Sequence, residues 1–96
     1  MKNNQIDDYT KIFKALSNPI RLKILMHIAK CRNSCHKHNI SELSEDCNVD
    51  FSVVSRHLKT LKDLDILISK KVKNDVLFEV NKKVLKEKLS YFIERI

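Results

Sequence analysis

Apolar side chains recur at helical spacing in five stretches of this chain. Tyr9, Ile12, Phe13 and Leu16 follow i, i+3, i+4, i+7 and predict a first amphipathic helix. Asp7 and Asp8 are read as lying near its start, where the helix dipole favours negative charge. Pro19 disfavours a helical Asn18, and Asn18 followed by Pro is a good helix start. A second helix therefore begins there, with Ile20, Ile24 and Ile28 along one edge and Leu25 beside them; Arg21, Lys23 and Lys30 are polar by position. Residues 31–39 have no period and read as a connection. Asn39 and Glu42 have capping-box spacing ahead of Ile40, Leu43 and Cys47, a short third helix that stops at Asn48. Asp50 is the expected N-cap of a fourth helix, from Phe51 to about Asp65, with Val54, Leu58 and Leu61 on its apolar edge.

The period then changes. Ile66 to Lys73 and Val76 to Val80 are rich in β-branched residues, and Asn74–Asp75 are read as the two central residues of a tight hairpin. Asn81 can cap a last helix carrying Leu85, Leu89, Phe92 and Ile96. The order is α-α-α-α-β-β-α. Two short helices joined by about three residues make a helix-turn-helix, and the hairpin behind it makes a wing. The expected fold is mainly α with a small β-hairpin wing, a single winged helix-turn-helix domain over residues 1–96.

Length and charge sharpen this picture. A chain of 96 residues buries only roughly 60–65% of its unfolded surface. Its apolar stripes at opposite ends predict that the first and last helices pair with those of a second copy, as a homodimer. The formal net charge is +7. Residues 56–73 hold six basic side chains (Arg56, Lys59, Lys62, Lys70, Lys71, Lys73) against Asp63 and Asp65, which is more than half of that excess. The charge thus falls on the fourth helix and the wing, where it suits duplex phosphates. A winged helix used only for protein contacts would not need it there.

Other classes are excluded. The chain has no glycine, so a phosphate-cradling nucleotide loop cannot form. No apolar run approaches the roughly 20 residues of a membrane span. The opening Met1-Lys2-Asn3-Asn4-Gln5 has no hydrophobic signal segment, which predicts a cytoplasmic, reducing setting without a membrane partner. A nucleophilic Cys/His enzyme needs a folded pocket with an oriented base, and this chain is too short and loop-poor for one. Neither an enzyme nor a small-molecule substrate is expected.

Three segments resemble the ArsR/SmtB winged-helix repressors. They are Leu16-Ser17-Asn18-Pro19-Ile20-Arg21-Leu22-Lys23-Ile24-Leu25, Ser41-Glu42-Leu43-Ser44, and Val54-Ser55-Arg56-His57-Leu58-Lys59-Thr60-Leu61-Lys62. The resemblance runs in order from about Tyr9 to Val80, with extra length near residues 31–38. It implies a homodimer that binds a palindromic double-stranded operator, represses transcription, and is released by a metal ion, an arsenite-like species or a thiol oxidant. Ser52, Ser55 and Arg56 then fall at groove-facing positions, where Arg56 reads a guanine or holds a phosphate. His57 matches a frequent family histidine, expected to be partly buried and hydrogen-bonded more often than a base reader. Lys59, Lys70, Lys71 and Lys73 suit phosphates. Asp50 and Phe51 stand where the family often has Ser and Gln. Phe51 is read as a staple or core residue in preference to a thymine-methyl contact.

The inducer chemistry rests on Cys31, Cys35, His36, His38 and Cys47, ligand types for Zn(II), Cd(II) or arsenite. A thiol pair can instead close as a disulfide under oxidation. Cys47 sits where the family has a core Leu, so packing is the competing reading. His27, mid-helix, is read as a surface or packing residue. The family's Cys-x-Cys site falls on Asn39 and Ser41 here, and its terminal-helix site falls in Lys82 to Ile96, which has no His or Cys. Any metal site is therefore expected to be built differently, from Cys31 and Cys35 with Cys47 or His36 and His38.

Overall fold

A computed structural model describes residues 1–30 and 39–96. The elements are α1 (Asn3–Leu16), α2 (Pro19–Lys30), α3 (Ile40–Cys47), α4 (Phe51–Asp63), β1 (Leu67–Val72), β2 (Asp75–Val80) and α5 (Lys82–Arg95). The order is the one the sequence pattern predicts.

α1 starts earlier than its apolar stripe. Lys2 is its N-cap, and the Gln5 side chain accepts from the Lys2 backbone N–H at 3.0 Å. Asp7 and Asp8 therefore sit in the second turn, beyond the first-turn reach of the dipole, which corrects the expectation for them. The buried edge is Tyr9, Ile12 and Ala15, while Phe13 stays largely exposed. At the next boundary the expectation holds. Asn18 Oδ1 accepts from the Ile20 and Arg21 amides at 2.9 and 3.1 Å, and Pro19 opens α2. Ile24, Leu25 and Ile28 are buried.

The Asn39 side chain accepts from the Glu42 amide at 2.8 Å, starting α3. α3 ends without glycine. Asn48 takes the left-handed conformation (φ 54°, ψ 50°), the Val49 amide bonds back to Ser44 O at 3.0 Å, and the Asn48 amide to Glu45 O at 3.3 Å. This pair of bonds satisfies carbonyls that the end of a helix leaves orphaned. The same device ends α4. Asp65 has φ 61°, its amide bonds to Lys62 O, and the Ile66 amide bonds to Leu61 O, both at 2.9 Å. α4 consequently stops at Asp63, two residues short of the expected end, because Asp65 is spent on the reversal that drives Ile66 into the core. Asp50 is the N-cap position of α4, but its side chain makes no capping hydrogen bond.

β1 and β2 pair antiparallel with Leu67 opposite Val80 and Val72 opposite Asp75. The two turn residues are therefore Lys73–Asn74, one residue earlier than the Asn74–Asp75 expected. Positive φ falls on Lys73 (55°), so a lysine takes the conformation for which Asn seemed suited by composition. The core gathers Ile24, Leu43, Cys47, Val54, Leu58, Leu61 and Ile66, contributed by α2, α3, α4 and the entry to the hairpin. The Asn81 side chain accepts from the Val84 amide at 3.4 Å and starts α5. α5 lies against α1: Tyr9 Oη donates to Lys88 O at 2.8 Å, and Phe13 meets Phe92 edge-on with centroids 4.9 Å apart. No residue of α5 is fully buried, and Ile96 is 86% exposed. Among the described residues, no helix is long and apolar enough to cross a membrane.

Lys73→Gly should raise stability by roughly 0.5 kcal/mol. Relief of about 1–2 kcal/mol of left-handed strain is partly offset by the extra backbone entropy of glycine. Asn48→Ala should cost about 1 kcal/mol, whereas Asn48→Gly should be close to neutral. Urea unfolding midpoints at constant m-value check both.

Candidate nucleic-acid interface

α4 is held by one edge. Val54, Leu58 and Leu61 are buried in the core, and that fixes the rotation of the helix. At 100° per residue, Ser52, Arg56 and Lys59 then lie on the opposite side and Ser55 and Lys62 beside them. Ser52, Arg56, Lys59 and Lys62 are exposed and Ser55 is half-buried. The three-residue link Asn48–Asp50 joins α3 to α4 and completes the helix-turn-helix.

His57 has a different place from its neighbours. It lies on the flank of α4, half-buried, and its Nδ1 accepts from Arg21 Nε–H at 3.0 Å. The proton of the neutral ring is therefore on Nε2. Burial, then the Arg21 and Arg56 charges, lower its pKa from the ordinary value of 6.5. His57 thus ties α4 to the first turn of α2. Arg21 is the partner that pattern reading alone ranked as merely polar. Its signal was its place inside the Leu16–Leu25 segment that carries the family resemblance. Lys23 makes a comparable tie, donating from Nζ to Cys47 O at 2.9 Å.

The hairpin sorts its lysines by register. Leu67, Ser69 and Lys71 share a face with Val80, Phe78 and Val76, and the buried Leu67 and Phe78 make it the core-facing side. Ile68, Lys70 and Val72 share the other face with Glu79, Leu77 and Asp75. Lys70 Nζ lies 3.2 Å from Glu79 Oε1 on that outer face. Lys71 stands near the tip on the inner face, and Lys73 is in the turn. The three wing lysines therefore sit on the outer face, the inner face and the turn rather than in one row.

Phe51 is not in the core. It is 54% exposed at the first turn of α4, which corrects the reading of it as a staple or core residue. The sequence pattern allowed an inward Phe51. Phe51 lies on the same stripe as Val54, Leu58 and Leu61, but as the first residue of α4 it projects past the end of the core.

Of the proposed inducer ligands, Cys31, Cys35, His36 and His38 lie outside the described residues. Cys47 is 1% exposed, packed in the core, and burial pushes its thiol pKa up. In this state Cys47 is a protonated thiol packed as a small apolar residue, the competing reading for it. His27 Nε2 lies 3.1 Å from Asp46 Oδ2, across the α2–α3 surface. Among the described residues, no three His, Cys, Asp or Glu side chains converge as a metal site.

The lowered His57 pKa has a stability consequence. Between the unfolded value near 6.5 and the lower folded value, the unfolded chain binds more protons than the native one. The stability that comes from neutral His57 is complete above 6.5 and is lost as pH falls towards the folded value. His57→Gln should flatten the drop in unfolding free energy below pH 6.5, as measured by urea titration across pH 5–8.

Comparison with known proteins agrees with this architecture. The family model for bacterial regulatory proteins of the arsR family matches residues 18–69. A helix-turn-helix-type transcriptional regulator of Methanocaldococcus jannaschii is 40% identical over 62 residues, which are 65% of this chain and 60% of that protein. The chain thus aligns with somewhat less than two thirds of that regulator's length. An ArsR-like transcriptional regulator from Rhodococcus sp. RHA1 superposes with a TM-score of 0.82 at 21% identity, covering 96% of this chain and 81% of the other. The homodimeric winged helix-turn-helix DNA-binding domain of a possible ArsR-family regulator from Mycobacterium bovis superposes with a TM-score of 0.72 at 15% identity, covering 99% and 87%. These two show the fold, and the matched segment runs from the Asn18 cap through both helices of the reading head into β1. On that evidence the chain belongs to the arsR family of bacterial regulatory proteins.

Proposed function

We propose that this protein is a homodimeric transcriptional repressor that lays α4 in the major groove of a double-stranded operator and rests the wing on the flanking backbone. The observation that carries the reading is the face of α4: Ser52, Arg56 and Lys59 turned away from the core beside an exposed, lysine-bearing hairpin. Cations on such a face neutralise phosphates, and Arg56 adds the planar fork that pairs with guanine. Two copies are supported by the half-buried α5 and by the apolar side chains left outside on α1, on α5 and just after it, namely Ile6, Phe13, Ile93 and Ile96. The homodimeric state of the Mycobacterium bovis domain supports the same reading.

Relief of repression is proposed to come from a thiol-directed effector, Zn(II), Cd(II), arsenite or an oxidant, acting through Cys31 and Cys35 with His36 and His38. Support for this is the density of ligand-type side chains there in the sequence. Cys47 is better accounted for as core.

Fluorescence anisotropy with a labelled duplex tests the function. Affinity should fall by about 10³ to 10⁵ between 50 and 200 mM salt, as for a dimer releasing on the order of 6–10 counterions. Lys59→Ala should lower the slope of log K against log salt by about two per dimer, one phosphate from each copy. Glu79→Gln frees Lys70 and should tighten binding by roughly two- to fivefold, the worth of an exposed pair. Absence of binding at about 50 mM salt, with reduced protein and without effector, would sink the proposal. Sedimentation equilibrium at micromolar concentration checks the dimer.

A further inference from the structure

The charge along α4 is divided. Its N-terminal end carries Asp50, Phe51 and Ser52, followed by Ser55, with no cation among them. The cations Arg56, Lys59 and Lys62 all come after. Phosphates lie on the rims of the major groove and base edges lie on its floor. The cationic stretch therefore suits the rims, and the Asp50 carboxylate keeps the opening turn away from phosphate. What that turn presents instead is the Phe51 ring, exposed beside the Ser52 hydroxyl.

The ring has no folding role that explains its place. The core at this end of α4 is closed by Val54 and Leu58, and Val49 packs against it from the preceding turn. Phe51 stands seven positions before Leu58 on the same stripe, but at the first position of the helix it lies beyond the reach of that core. An aromatic ring at the tip of a reading helix can gain only from an apolar surface, and the floor of the major groove presents one such group, the C5-methyl of thymine. Adenine, guanine and cytosine present no methyl there, only hydrogen-bonding atoms and flat C–H edges, against which a phenyl ring buries less apolar surface and leaves polar groups without partners.

We propose that Phe51 is a specificity-determining residue that selects thymine in each operator half-site through its 5-methyl group. The inference rests on the DNA-binding reading above. It places sequence choice in an apolar contact at the first turn of α4, with Arg56 one full turn and more behind it.

The test starts from duplexes selected by the full-length protein out of a random-sequence library at low salt. Each thymine of the recovered half-site is then replaced in turn by deoxyuridine, which removes only the methyl group. Wild-type protein should lose about fourfold in affinity at one thymine per half-site, the worth of one buried methyl. Phe51→Ala should bind the thymine and uracil duplexes equally, and Phe51→Leu should keep part of the preference. Circular dichroism of both variants should match the wild type, because the ring is outside the core. Uracil duplexes that lose the same affinity with Phe51→Ala as with wild type would overturn the assignment and leave the repressor reading intact. So would a Phe51→Ala protein whose sedimentation without DNA differs from wild type, since that ring would then face a second copy. If no duplex is recovered at all, the DNA-binding reading fails first and the assignment falls with it.

Discussion

Everything at the candidate interface depends on α4 being gripped along a single edge. Val54, Leu58 and Leu61 are each worth about 1.5–3 kcal/mol on burial, and together they set the rotation of the helix to within a fraction of a residue. A slip of one position, 100°, would bring Ser55 and Lys62 into the hydrocarbon and expose Val54. No arrangement of surface charge competes with that. The outward direction of Ser52, Arg56 and Lys59 is therefore a by-product of the core, and the chemistry of the reading face can change without disturbing the fold. His57 and Arg21 add a polar stop on the flank, tying α4 to the start of α2 through a single directed hydrogen bond.

The helix stops are the second requirement, and they are built without glycine. Asn48 and Asp65 both adopt left-handed conformations so that the chain turns back sharply and the next apolar residue, Val49 or Ile66, reaches the core. Asn and Asp tolerate that conformation because a short polar side chain can satisfy itself locally. Lys73 has no such help, yet it too takes a positive φ in the hairpin turn. The reason is register. Leu67 and Phe78 must both face the core, and their opposition to Val80 and Ser69 leaves Lys73 and Asn74 as the only residues left to turn. Tertiary burial decided the turn, and local preference gave way.

That contrast explains what could be read from the sequence. Helix positions and types followed from periodicity, since Ile24, Leu43, Leu58 and Leu61 recur at spacings that only a helix brings to one face. The caps at Asn18, Asn39 and Asn81 were legible because each acts through its own side chain on amides two or three residues away. The turn at Lys73–Asn74 was not, because strand register settles it, and the end of α4 and the exposed Phe51 were not, because they depend on where the core begins and ends along that helix. The basic cluster was visible as a count, but its geometry was not. Strand alternation already separates Lys70 from Lys71, but only the structure shows which of them faces the core side and that Lys70 is engaged by Glu79. The Arg21–His57 bond spans 36 positions and no local pattern announces it.

The terminal helices pose a different physical question, which the proposed dimer answers. α5 orders 14 residues, at a backbone cost of about 1–2 kcal/mol each, yet not one of its side chains is fully buried within a single chain. Its ties to α1 are aromatic and polar: Tyr9 with Tyr91 and Phe92, Phe13 with Phe92, and the Tyr9 hydroxyl on Lys88. These fix α5 at one angle to α1 and leave Phe13, Ile93 and Ile96 outside. A second copy covering the same surface would remove that apolar area from water, and by symmetry each copy would do so for the other. The two α4 helices would then be held at a set separation. A small domain with one modest core gains both stability and a ruler for spaced half-sites from the same contact.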